Sequence, residues 1–493
     1  MKHKIIGVTA LVLSVSIVLG VGNILLKKDS KRYIQHLEES GYIECENCPD
    51  SKLCTHLPII KINTGGVEIP GKPYYNSETG LTEHTLAADG SDTIAATTDI
   101  IDGDGNNHLS DSATLSSNIR IRIRGNSSRH FDKKPYLLEF INPDGTNNDC
   151  EVMGMAAHHE WALHGPYLDK TLIRNYMWYN ISGQIMDYAP NVRFCELILN
   201  GEYQGLYLMT ETITAGDDGA RLTLSTTEKR STFSGYILRH DRGSGSDIKN
   251  INPLSIYARR TDKKINIVYP GLSNLNEELA RDIELEFSAF EKAIHSYDFD
   301  DKEGYKGNID VDSFVDYFII NEVSLNRDAG LFSTYIYKDI SRKYKMCVWD
   351  FNNTLDNYEE IENSPSDGFA MFGTLWFNRL VQDEDFTDEI IKRYRELRKG
   401  VLSTEYLNQF IDDTIEWLGP AIDRNFEKWG YSFEESSDRL TPHERNPRSY
   451  SEAVTQMTDC LNERLIWMDA NIESLRQYSA ASKTHESHEA HEQ

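Results

Sequence analysis

Positive charge is what this chain lacks most. Its 493 residues carry 51 Lys and Arg against 78 Asp and Glu, a formal net charge of −27. That balance excludes nucleic acid as a partner, because phosphate contacts need clustered Lys and Arg; it suits basic partners or plain solubility. No Gly-x-Ser-x-Gly elbow and no His-Glu-x-x-His pair occurs, which disfavours a serine hydrolase and a zincin. No internal repeat is visible. Cysteine is sparse at seven, with no second pair at zinc-finger spacing. What is present is length for two or three domains and enough apolar residues, 39%, for a real core.

One long apolar run stands out. Residues 5–26 carry no charge and are long enough to cross a bilayer as a helix, with Lys2 and Lys4 before them and Lys27, Lys28, Lys31 and Arg32 after. Neither a short core nor an Ala-x-Ala exit marks a cleaved signal, so residues 1–32 read as an uncleaved single-pass anchor. The heavier downstream charge argues for a body inside the cell and the cysteine pattern for the outside; the reading taken is extracytoplasmic. Residues 33–56 follow as a short stalk. They hold Cys45, Cys48 and Cys54 in a C-x2-C-x5-C run with His56 two residues on. A disulfide in an oxidising compartment leads, with a zinc site of three thiolates and His56 and unpaired thiols behind it. Cys150, Cys195, Cys347 and Cys460 are scattered singly and read as buried structural residues. Residues 476–493 form a polar tail in which His485, His488 and His491 recur at steps of three among glutamates; a disordered end outweighs a loose metal site.

Between anchor and tail the pattern is α+β. Residues 57–270 read as a β-rich lobe, beginning with the strand at 57–62. Asp102-Gly103-Asp104-Gly105-Asn106 imitates a calcium loop, but its twelfth position is Ala113, so it reads as a polar loop. Residues 118–124 alternate strictly, Ile119, Ile121 and Ile123 on one face and Arg120, Arg122 and Arg124 on the other: a half-buried strand. A return strand at 135–141, a helix at 167–186, a hairpin turning at Asn200-Gly201 and strands at 234–239 and 265–269 complete the lobe. Residues 271–475 read as helical. Leu275, Leu279, Ile283, Phe287, Phe290 and Ile294 give one apolar stripe, Asp312 is placed to cap the next helix, and further helices are expected at 385–402, 404–418 and 450–475. A ligand cleft is expected between the lobes.

The candidate chemistry sits on one hairpin. Residues 333–337 and 345–349 both read as strands, so Asp328 just before the first and Asp350 just after the second meet at one end. Two carboxylates that close repel unless a cation or a shared proton lies between them, and kinase catalytic loops bring such a pair together for phosphoryl transfer. Asn352 and Asn353 could add neutral oxygen ligands for magnesium. The loop after the alternating strand offers Gly125, Asn126, Ser127 and Ser128 as a phosphate cradle, with Lys133 and Lys134 following. Glu211, ending a strand, is placed to pair with a lysine or mark the connection between lobes. Asp169 and Arg174 read as an ion pair at a helix start.

Five stretches together carry a resemblance: RIRGNSSRHFDKKPYLLEF (122–140), WALHGPYLDKTLIRN (161–175), ELILNGEYQGLYLMTE (196–211), DAGLFSTYIYKD (328–339) and VWDFNNTLDNY (348–358). In this order they resemble the spore-coat protein H (CotH) kinase family of atypical protein kinases. The resemblance implies a two-lobed kinase-like fold and ATP-dependent phosphorylation of Ser or Thr in a protein, with Mg2+ or Mn2+. Asp328 would then match the catalytic-loop carboxylate and Asp350 the metal-binding one, with Lys133 or Lys134 on the nucleotide phosphates. A basic, Ser-rich protein substrate would suit the acidic composition. Three departures stand against it. Ser333 occupies a position where the family often has a metal-binding Asn, Asn352 replaces a second Asp, and residues 234–242 (SGYILRHDR) are less acidic than expected. The alternative is therefore a catalytically weak or inactive cell-surface scaffold or adhesion module that keeps the fold.

Overall fold

The alternating run forms one stave of a closed barrel. Among the described residues of this computed structural model (32–45, 48, 53–216, 221–225, 234–243, 245–254, 263–296, 299, 304–359 and 366–479), the first part of the chain is built mainly of strands joined by loops. In order come β1 (Cys54–Thr55), β2 (Ile59–Asn63), β3 (Ile94–Ile101), β4 (Asn107–His108), β5 (Leu115–Ile123), β6 (Tyr136–Ile141) and β7 (Glu160–His164). After helix α1 (Arg174–Ile185) follow β8 (Val192–Leu199) and β9 (Glu202–Glu211), joined by the Asn200-Gly201 turn. Seven strands close in the order β7-β9-β8-β2-β3-β5-β6. Every pair is antiparallel except β2 with β8. Closure leaves no exposed edge, and Ile119, Ile121 and Ile123 are buried inside with Leu138, Trp161 and Leu197.

The second sheet crosses the two halves of the sequence. Strands β10 (Tyr236–Arg242), β11 (Asn250–Ile251) and β12 (Lys263–Tyr269) come from the β-rich half; β13 (Thr334–Lys338) and β14 (Lys345–Cys347) come after helices α2 (Glu277–Ile294) and α3 (Val311–Val323). Their order is β11-β12-β10-β13-β14, so the hairpin expected to stand in the helical half pairs with β10 of the β-rich half. Helices α4 (Glu384–Leu397), α5 (Thr404–Leu418), α6 (Pro420–Trp429) and α7 (Tyr450–Asn471) complete the α+β arrangement.

Three local readings need correction. Helix α1 begins at Arg174 rather than 167, because Asp169 Oδ1 accepts from Thr171 N–H and Leu172 holds a left-handed backbone (φ 68°), which together make a turn there. The cap of α3 is Asp310, whose side chain accepts from Ser313 N–H, with Asp312 inside the first turn. Helix α6 was not foreseen, although Pro420 at its first turn is a start signal.

The chain divides into two compact units, residues 1–34 and 35–493, and every element named here belongs to the second. Within that unit, Gln35 and His36 of the segment expected as a stalk pack against other elements. Gln35 Oε1 accepts from Phe194 N–H (2.8 Å) on β8, and the His36 ring stacks edge-on against Phe410 of α5 (4.6 Å). Residues 5–26 and the tail histidines lie outside the described residues; among those described, no helix is long and apolar enough to cross a membrane.

Candidate active site

Asp328 and Asp350 are brought to the same place, and a side chain links their loops directly. Asp328 follows α3 in a tight turn, its carbonyl accepting from Leu331 and Phe332 N–H (2.9 and 2.8 Å). Its Oδ2 accepts from the Asn353 side-chain amide at 2.6 Å. Asp350 ends the segment that leaves β14, in a left-handed conformation (φ 62°). Its Oδ1 accepts from the Asn352 side chain and backbone N–H (2.9 and 3.3 Å).

The strained Asp350 backbone is held from α1. Tyr179 Oη accepts from Asp350 N–H (3.0 Å), and Asn175 Oδ1 accepts from Phe351 N–H (2.7 Å) while its amide donates to Asn352 Oδ1 (2.9 Å). At the first residue of α1, Arg174 donates to the Thr354 and Leu355 carbonyls (2.9 and 3.0 Å) and pairs with Asp169 Oδ1 at 2.6 Å. Both ion-pair partners are only 2% exposed. The helix-start pair expected from sequence is therefore also the brace of the Asp350 loop.

On the other side, the Glu322–Arg464 pair (2.6 Å), fully buried, joins the end of α3 to α7, and Glu322 accepts from Ala370 and Met371 N–H (2.9 and 2.6 Å). This strap, residues 370–374, carries Thr374 against Gly330. A Cβ on Gly330 (φ 78°) would lie 2.4 Å from Thr374 Oγ1 and 2.6 Å from its Cβ. Gly330→Ala is thus expected to destabilise the fold by about 1–3 kcal/mol through strain and overpacking, and to misplace Asp328. A urea midpoint unchanged from wild type would contradict this.

Electrostatics reveal two residues that the sequence reading did not place in the site. Burial, then the Asp350 charge, pushes the Asp328 carboxyl up to about 6, and Asp241 adds to the rise. Asp350 is also raised, first by burial, with Asp241 raising it further and Arg124 opposing. Asp241 lies on β10, one residue past the His240–Thr334 pair, so the ladder sets it beside the turn that ends at Ser333. Arg124 extends past the end of β5, its guanidinium 5.3 Å from the Trp349 ring centre. The site is therefore three acidic side chains, with Arg124 opposing the rise at Asp350 and Arg242 the rise at Asp328; Arg239 and Arg242 also lie 3.6 and 4.0 Å from the Asp241 carboxylate. Asn326 adjoins it: its amide donates to the Asp350 carbonyl (3.1 Å), and its Oδ1 is buried without a hydrogen-bond partner among the described residues. Buried carboxylates gathered beside an orphaned amide oxygen are the hard donor set that a divalent cation takes.

The remaining expected residues are distributed more widely. Lys133 is 1% exposed. Its Nζ donates to the Leu206 carbonyl and to Asn425 Oδ1 of α6 (both 2.6 Å), which clasps that helix to the barrel; the cation with the largest effect on Asp350 is Arg124 instead. Lys134 Nζ donates to the Arg129 carbonyl (2.9 Å) and pins the loop after β5. In that loop Gly125 has φ 91° and lies where a Cβ would meet Ser128 Oγ at 2.0 Å; Asn126 and Ser127 are exposed and Ser128 half-buried. Glu211 pairs not with a lysine but with Arg221 (3.0 Å), both fully buried, and accepts from Asn191 N–H (2.9 Å). Ser333 holds a left-handed backbone (φ 48°) just before β13.

A stretch 22% identical over 313 residues, 63% of this chain and 76% of the relative, is shared with inner spore coat protein H of Bacillus subtilis (strain 168). The family described as CotH kinase protein matches residues 121–468, a span that contains both carboxylate loops, the α1 brace and the strap. Covering well over half of the sequence, that match shows that the chain belongs to the CotH kinase protein family.

Proposed function

We propose that this chain is an atypical protein kinase that moves the γ-phosphoryl group of ATP to a Ser or Thr hydroxyl of a protein, with Mg2+ or Mn2+, and that residues 5–26 tether it to a membrane. The observation carrying this reading is the convergence of Asp328, Asp350 and Asp241 opposite Arg124. Asp350 and Asp241, with Asn326 Oδ1, would hold the cation. Such a cation, when bound, neutralises charge developing on the transferring phosphoryl. Asp328 accepts the hydrogen bond of the incoming hydroxyl and takes its proton as the oxygen–phosphorus bond forms and the bond to ADP breaks. A carboxyl held near 6 is ionised at neutral pH yet basic enough for that role. Arg124 supplies fixed positive charge toward the phosphates, and the Gly125–Ser128 turn, pinned by Lys134, offers backbone N–H groups to them. The net charge of −27 favours a basic, Ser-rich substrate. Asp241 and Asn326 also answer the departures at Asn352 and Ser333, since they restore oxygen donors at the same end of the hairpin.

The test takes the full chain in detergent, labelled ATP, Mn2+ and a basic Ser-rich protein. Label should appear on Ser or Thr. The rate should rise with pH to a plateau whose acid limb lies at or below pH 6, because a bound cation lowers the Asp328 value. ATP with Mn2+ should also raise the melting temperature. No incorporation together with an unshifted melt would leave the scaffold reading standing.

A further inference from the structure

The N-terminal cysteines find a fourth ligand that their spacing did not name. We infer that Cys45, Cys48, Cys54 and His108 form a closed structural zinc site that ties Cys45 and Cys48 to the β1–β4 ladder. One ligand atom from each lies within 4.8 Å of all the others. Ligands of a tetrahedral zinc sit about 3.5–3.8 Å apart, given bonds of about 2.0–2.3 Å, so small side-chain rotations close the set. Two ligands are fixed by backbone register rather than by loop conformation: β1 pairs with β4 and sets Cys54 directly opposite His108.

His108 carries the second, independent observation. It is 7% exposed, its Nδ1 lies 3.2 Å from Asp111 Oδ2, and its Nε2 is buried with no hydrogen-bond partner among the described residues. Donation from Nδ1 to a carboxylate leaves the Nε2 lone pair free and fixes the ring orientation, which is how metal-bound histidines are held. Asn106 adds a side-chain N–H to Cys54 Sγ at 3.4 Å, a contact that suits a thiolate. A disulfide would use two of the three thiols and leave the third and Nε2 unsatisfied, whereas one zinc satisfies all four. His56, the ligand expected from the C-x2-C-x5-C spacing, instead packs edge-on against Trp417 (4.8 Å). With four protein ligands and no open position, the site is structural.

The test uses the full chain purified without chelator. Metal analysis should find one zinc per chain. Exchange for Co2+ should give thiolate charge-transfer bands and the intense visible bands of a tetrahedral ion. Cys48→Ser and His108→Ala should abolish or weaken binding, Asp111→Asn should weaken it roughly 10–100-fold, and His56→Ala should leave it intact. A metal-free wild type in which two thiols react only after reduction would overturn the inference. So would a cobalt spectrum indifferent to His108→Ala.

Discussion

Replacing Asp350 by Asn is expected to cut phosphate transfer by roughly 10²–10³-fold, the size seen when one preorganised electrostatic group is lost from an active site, while the metal-free protein melts no lower than wild type. The substitution removes a charge but keeps the shape, and the Asn352 donors still find an oxygen. The stability half of the expectation follows from the direction of the shifts. Asp328 titrates at about 6 in the folded chain against about 3.9 unfolded, so the folded state binds that proton more tightly. Its favourable contribution is complete below about pH 4 and is lost as pH rises through 6. At neutral pH the ionised group then costs the folded state on the order of 2 kcal/mol. Asp350 is shifted in the same direction for the same first cause, burial. Neutralising either one relieves the cost, so function here opposes stability. Scanning calorimetry in chelator and phosphate incorporation with metal measure the two halves. A lower melting temperature for Asp350→Asn would overturn the stability half, and unaltered transfer would show that this carboxylate does not hold the cation.

Arg174→Ala should be the most destabilising single change near the site, although Arg174 touches neither nucleotide nor acceptor in the proposed reaction. Truncation leaves Asp169 charged and buried without its paired cation, and frees the Thr354 and Leu355 carbonyls. Breaking a buried pair from one side costs about 3–5 kcal/mol. The loop after Asp350 loses its brace at the same time, so Mn2+ affinity should fall beyond what the stability loss explains. Arg174→Lys restores the charge but not the planar fork that reaches both carbonyls; it should recover part of the stability and little of the metal affinity. Urea midpoints and Mn2+ titrations separate the two effects. Wild-type stability in Arg174→Ala would remove the brace from the account.

Local signals in the sequence were read correctly where the physics is local. Period-two alternation at Ile119, Ile121 and Ile123 gave a buried strand face, and the hairpin between Asp328 and Asp350 followed from two β-rich runs and a polar turn. What stayed hidden depends on partners far along the chain. Lys133 reads as a phosphate contact until Asn425, 292 residues away, takes its proton donor. Arg124 shares its face with Arg120 and Arg122, and only the barrel decides which of them overhangs Asp350. Asp241 sat in a stretch noted for too little acid, yet the β10–β13 ladder carries it to the site. Barrel closure itself rests on the parallel pairing of β2 with β8, a contact that no turn signal announces.

The ladder between β10 and β13 also bears on how the molecule can be rebuilt. A chimera joined near residue 270, where the sequence changes from strand-rich to helical, would import β13 and β14 without the strand that pairs with them. The imported hairpin would meet a foreign edge strand, and its Asp328 would face whatever residue the recipient carries in place of Asp241. A junction placed ahead of Tyr236 transplants β10, β12 and the hairpin as one inherited piece, and leaves Arg124 with its loop and the α1 brace of the Asp350 loop to be matched across the seam.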